Sequence, residues 1–110
     1  MKTNSLMTGA LAVFLLASAS QSVFASAHER NLIRQHDCTK CHAISRPKEG
    51  PSLAEIAEKY RDDPDAVGTL YNHMTTETMV EVDGKEEAHK PIAIDDRAEV
   101  ENLIRWILSH

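Results

Sequence analysis

Hydrophobic positions along the chain fall into groups separated by polar and Pro- or Gly-bearing stretches. The first group, Leu6 to Leu16, is an almost wholly apolar run behind Met1-Lys2 and ahead of the small, polar segment Ala17 to Ser22. The remaining groups are short and predict helices. His28 to His36 carries the pair Leu32-Ile33 as its buried positions, with a start at Ser26 or His28 and an end at Asp37. Ser52 stands three residues before Glu55 in a capping-box pattern, and Leu53, Ile56, Ala57 and Tyr60 follow at helical spacing until Asp62-Asp63-Pro64. Asp63-Pro64-Asp65 suits the entry of a third helix, in which Val67, Leu70, Tyr71 and Met74 keep the spacing to about Thr75 despite Gly68. Asp95 or Asp96 caps a last helix with Val100, Leu103, Ile104, Ile107 and Leu108 on one side and Trp106 near its end.

The stretches between these groups are different in kind. Arg46 to Pro51 reads Arg-Pro-Lys-Glu-Gly-Pro, which holds no regular element and makes a loop. Thr75 to Lys90 has no sustained period and carries Glu77, Glu81, Asp83, Glu86 and Glu87 against Lys85. It reads as an acidic loop, with Val80 to Val82 and Asp83-Gly84 leaving room for a small turn or hairpin. No other strand signal and no internal repeat appears. The expected class is therefore all-α, with about four short helices.

The first apolar run changes the domain picture. Lys2, the apolar run and the polar small-residue segment stand in the order of a secretory leader, and the run is too short for a permanent membrane span. Val23-Phe24-Ala25 predicts cleavage after Ala25, with Ala25-Ser26-Ala27 as the neighbouring second choice. Residues 1–25 are thus a cleaved leader and 26–110 one exported domain of about 85 residues, soluble and free of the membrane after processing. Loss of Lys2 leaves 11 basic against 17 acidic residues, a formal charge of −6. That balance argues against nucleic acid or an anionic membrane surface and favours a partner with a basic docking patch.

Candidate chemistry lies in Cys38-Thr39-Lys40-Cys41-His42. Two thiols at i and i+3 followed at once by an imidazole suit covalent attachment of a haem: each cysteine adds across one vinyl group, and His42 Nε2 faces the iron. A structural zinc site needs further ligands, and the chain has only two cysteines. A thioredoxin-like redox pair needs a βαβ pattern, which is missing. So short a domain has few large apolar groups, chiefly Trp106, Tyr60, Tyr71 and the aliphatics. The porphyrin supplies part of the core, and the apo chain should fold poorly.

In order and spacing the chain resembles the small class I bacterial cytochromes c over nearly all of residues 26–110. Leu32-Ile33-Arg34-Gln35-His36-Asp37-Cys38 looks like their N-terminal helix entering the haem motif, and Cys41-His42-Ala43-Ile44 with Gly50-Pro51 stands at the family's spacing. Leu103-Ile104-Arg105-Trp106-Ile107-Leu108 looks like their C-terminal helix. The resemblance implies a class I fold wrapped around one covalent haem c, first and last helices crossing near the haem, and the Pro51 carbonyl accepting the proton of the other nitrogen of His42. It departs at the sixth iron ligand, where the short members have methionine before prolines and this chain reads Ala88-His89-Lys90-Pro91. His89 at that place points to a bis-histidine haem with a lowered potential. Met79, Met74, His73 or an open site stay as alternatives, Met74 reading more naturally as core. His73 is expected to face water, His36 to be solvated or at the haem edge, and His28 and His110 to be mobile near the termini.

These residues imply a monomeric periplasmic one-electron carrier rather than an enzyme, either a free shuttle or the electron-accepting subunit of a periplasmic dehydrogenase. Its expected cofactor-binding residues are Cys38, Cys41, His42, Pro51 and His89, with His42 and His89 on the iron. The alternative is haem-based binding or sensing of a gas or peroxide through a displaceable sixth ligand on the Thr75 to Lys90 loop. No acid/base constellation accompanies the haem motif to suggest turnover.

Overall fold

The computed structural model of the chain describes residues 20–110, and their side chains from Ser26 onward. The expected leader lies for the most part outside the described residues. Four helices follow in chain order: α1 (Ser20–Gln35), α2 (Leu53–Tyr60), α3 (Ala66–Thr75) and α4 (Arg97–Ile107). A two-stranded antiparallel hairpin, β1 (Met79–Val82) and β2 (Lys85–Ala88), stands between α3 and α4. Helix α1 starts before the expected Ser26 or His28, since nothing from Ser20 onward is a Gly or Pro that would stop a helix there.

Caps set the helix starts. Ser52 Oγ accepts from the Glu55 backbone N–H at 3.1 Å while Glu55 Oε2 accepts from the Ser52 N–H at 2.7 Å, the reciprocal pair the spacing predicts for α2. Asp96 caps α4 by accepting from the Ala98 N–H at 2.9 Å. The hairpin turns on Asp83 (φ 51°) and Gly84 (φ 77°), two consecutive left-handed residues of the kind a tight two-residue hairpin needs. Its register sets Met79 opposite Ala88 and Glu81 opposite Glu86.

Helix α4 is the hub of the core. Val100, Leu103 and Ile104 are fully buried. Leu103 and Ile107 pack with Leu32 and Ile33 of α1 and Leu53 of α2, with Cys38, Ile92, Ile94 and Trp106 at the margin. Val100 and Ile104 pack on the other side with Leu70 of α3. Met74 and Ile56 touch both groups, so the two halves form one continuous core around a helix with a single apolar stripe. His28 Nε2 lies 3.0 Å from Glu99 and ties α1 to α4, and His110 Nδ1 lies 3.0 Å from the Trp106 carbonyl with its ring edge-on to the indole. Both histidines thus have partners where their positions near the ends predict none. Among the described residues no helix is long and apolar enough to cross a membrane.

Candidate haem site

The cysteine motif is a single tight turn. Asp37 takes a left-handed conformation (φ 62°) that ends the run-on from α1, and Cys38–Lys40 forms one turn of 3-10 helix. The Cys41 and His42 N–H groups both return to the Cys38 carbonyl, at 3.2 and 2.9 Å. Residues three apart eclipse one another in such a turn, so both thiols emerge on one side with His42 directly behind them. Cys38 and Cys41 are free thiols, both part-exposed. Burial holds each thiol above its usual range; the Cys41 S–H also donates to Glu49 Oε2 at 3.3 Å, which favours the protonated form. Among the described residues no group of three or more His, Cys, Asp or Glu side chains gathers as a metal cluster would.

His42 is held by backbone on several sides. Its Nδ1 lies 2.6 Å from the Pro51 carbonyl oxygen. A carbonyl only accepts, so Nδ1 carries the proton and Nε2 keeps a free lone pair. The loop between them closes because the Gly50 N–H donates to the Cys41 carbonyl at 2.8 Å, and the first N–H groups of α2, on Leu53 and Ala54, donate to the Ala43 and Ile44 carbonyls at 2.9 and 3.1 Å. Those bonds satisfy helix-start donors that would otherwise lack partners, and they lock α2 to the motif. Gly50 lies so near that a Cβ there would sit 2.8 Å from His42 Cε1, so only glycine fits against the ring.

His89 follows directly after β2. Its N–H donates to the Thr78 carbonyl at 2.7 Å, prolonging the hairpin ladder by one bond, and the Ile92 N–H then donates to the Met74 carbonyl at 2.7 Å. The His42 and His89 ring centroids are 6.2 Å apart with the planes inclined by 47°. Two imidazoles on one metal at roughly 2.0 Å put their centroids about 6.3 Å apart, and this pair stands at nearly that separation. His89 Nδ1 is buried and has no partner. Lys90 reaches from the residue beside His89 to Asp37, beside Cys38, at 2.9 Å; Lys40 adds a second contact at 3.2 Å, and these two lysines hold the Asp37 carboxyl below its usual range.

The other sulfur and imidazole candidates are placed differently. Met74 is partly buried and packs on both halves of the core, as its helical spacing predicts. Met79 stands on the hairpin with 56% of its surface exposed. His73 does not face water as expected: it is half-buried, and its ring lies 4.5 Å from that of His89, tilted by 45°. Burial is the leading cause that depresses the pKa of both His73 and His89, reinforced by the nearby imidazoles, and it keeps their neutral forms favoured. An open depression bounded by Tyr60, Arg61, Pro64, Val67 and Leu108 contains none of these groups. Neither the His73 contact nor the Lys90–Asp37 bridge was legible in the chain; both join segments far apart in sequence, and no local spacing signals them.

Known proteins with this pattern agree. The model of the Cytochrome c family matches residues 29–110. Cytochrome c-552 of Nitrosomonas europaea is 35% identical over 70 residues, which are 64% of this chain and 62% of that protein, so the chain spans less than two thirds of that relative's length. Among solved structures, the class 1 cytochrome MtoD of Sideroxydans lithotrophicus ES-1 superposes with a TM-score of 0.68 at 40% identity, covering 79% of this chain and 94% of MtoD. Wild-type Nitrosomonas europaea cytochrome c552 gives a TM-score of 0.58 at 26% identity, over 73% and 96% of the two chains. With the cysteine turn, the four-helix frame and these likenesses together, the chain belongs to the cytochrome c family, as a small class I c-type cytochrome whose cofactor is covalent haem c.

Proposed function

We propose that the protein is a periplasmic one-electron carrier in which Cys38 and Cys41 bear the haem thioethers and His42 and His89 are the axial ligands. The separation of the two imidazoles, 6.2 Å between ring centroids, is the observation that carries this reading. Bound haem supplies a reversible one-electron change at its iron, and the chain supplies the rest. Pro51 fixes the tautomer and direction of His42, and a hydrogen bond that short makes the ring the better electron donor to a metal. Core packing of Met74 and exposure of Met79 support His89 over either sulfur. Two imidazoles favour ferric iron more than an imidazole and a thioether do, so the potential lies below that of a His/Met relative.

An exported domain with an excess of acids meets its partners by charge. The hairpin beside His89 exposes Glu86 and Glu87, and Glu81 faces Glu86 across the strands with no cation between them in the ladder. That surface suits a partner with a basic docking patch, either a free redox protein or a dehydrogenase to which this chain is the electron-accepting subunit. Potentiometry with near-infrared magnetic circular dichroism of the holoprotein tests the reading. A reversible one-electron wave with a bis-imidazole charge-transfer band is expected. A thioether band would move the sixth ligand to Met79 or Met74, and irreversible reduction would remove the carrier.

A further inference from the structure

We propose that His73 is a second distal imidazole for the haem iron, placed to take the sixth position when His89 leaves it. The inference rests on the reading of His42 and His89 as the axial pair.

The two distal histidines sit on supports of different stiffness. His73 belongs to α3, anchored in the core by buried Ala66 and Leu70 and by its neighbour Met74. His89 follows the hairpin, whose β2 residues are all exposed, and its segment is tied by two backbone hydrogen bonds and an ion pair with an exposed lysine. Exposed ion pairs hold weakly.

The two axial imidazoles also differ in their second nitrogen. His42 Nδ1–H has a carbonyl acceptor at 2.6 Å, whereas His89 Nδ1 is buried without any partner. A ligating imidazole that donates its other N–H is the better electron donor to the metal. Of the two iron–nitrogen bonds, the distal one is therefore the weaker and breaks first.

The next base in line is already in contact. The His73 and His89 centroids are 4.5 Å apart, and a change of side-chain rotamer on a fixed helix brings His73 toward the vacated position. One iron–nitrogen bond is broken and one is formed, and the oxidation state of the iron does not change. Iron would carry two imidazoles before and after the exchange, but the second then comes from α3 instead of the hairpin. A partner that draws the hairpin away would thus change the ligand, and the iron would end six-coordinate again.

The test uses the full chain matured with haem, as wild type, His89→Ala and His73→Ala/His89→Ala, read by near-infrared magnetic circular dichroism and electron paramagnetic resonance of the ferric form. His89→Ala should keep a bis-imidazole band, unchanged on dilution, with g values shifted from wild type. The double variant should lose that band, show high-spin iron and regain a bis-imidazole spectrum when imidazole is added. High-spin or thioether-ligated iron in His89→Ala, with helical circular dichroism intact, would overturn the proposal while leaving the axial pair standing. A band that fades on dilution would overturn it too, because the ligand would come from another molecule. A thioether band in the wild type would remove the underlying axial reading itself, as would a His89→Ala spectrum identical to wild type.

Discussion

The two sides of the candidate haem site are built on opposite plans. On the His42 side, the imidazole meets the Pro51 carbonyl and a Gly50 with no side chain, on a loop whose backbone N–H groups bond to the Cys41, Ala43 and Ile44 carbonyls. On the His89 side, the imidazole follows an exposed hairpin, has an unpartnered Nδ1, and meets another histidine instead of an acceptor. A ring bonded to a loop that several backbone hydrogen bonds fix has little room to rearrange, because its acceptor cannot follow it. A ring held by a hairpin and a side-chain neighbour has alternatives at lower cost. On the proposed ligation, the His42 side fixes the cofactor, and the His89 side is where its chemistry is tuned.

Breaking the proximal side at its attachment has the largest expected effect. Cys38→Ala with Cys41→Ala leaves no thiol to add to a vinyl group, so haem should be wholly extractable from the denatured protein by acidic acetone, where the wild type retains it. Leu103→Ala strikes the core that both sides share. A fully buried leucine on α4 is lost, and unfolding in urea should show a destabilisation of about 2–5 kcal/mol.

Two glycines separate the sides more finely. In Gly50→Ala the new methyl meets His42 Cε1 at 2.8 Å, so the ring or the loop must shift. A cost of about 1–3 kcal/mol is expected, with a raised potential as the bond to Pro51 lengthens and the imidazole donates less. Gly84→Ala acts on the hairpin alone. A side chain at φ 77° costs about 1 kcal/mol, and nothing lies near enough for the methyl to touch. If Gly50→Ala proved no worse than Gly84→Ala, the stiffness assigned to the proximal side would be wrong.

The smallest and most gradual effect is that of pH, and it belongs to the distal side. Burial depresses the His73 and His89 pKa values below their ordinary 6.5. Between that value and the lower folded values the unfolded chain binds more protons than the folded one, so stability is complete above 6.5 and is lost as pH falls through the folded values. In the holoprotein, protons compete with iron for the lone pair of a ligating imidazole, which gives the trend the same sign. Urea midpoints taken at about pH 7.5 and about pH 5.5 should fall on acidification, and less so in His73→Phe.

Much of this was legible from the chain because it is local. The Ser52–Glu55 capping box, the α4 stripe from Val100 to Ile107 and the Asp-Gly turn each depend on residues within a few positions of one another, where spacing dictates geometry. The Cys38 to His42 turn is of the same kind. The place of Gly50-Pro51 beside His42 was implied by the resemblance to the small cytochromes c and not by local spacing. What the tertiary structure alone decided is which distant groups meet. His73 looked like a residue on the water face of a helix, yet it touches His89 because the Ile92–Met74 hydrogen bond draws the segment after the hairpin back along the end of α3. Lys90 reaches Asp37 across 53 positions for the same reason, and the 6.2 Å between His42 and His89 is set by the packing of all four helices around α4. The sequence by itself determined the elements, the cofactor motif and the acidic balance. Which imidazoles face one another, and how firmly each is held, came from through-space packing, since a hydrogen bond or a ring contact depends on position in the fold and not on distance along the chain.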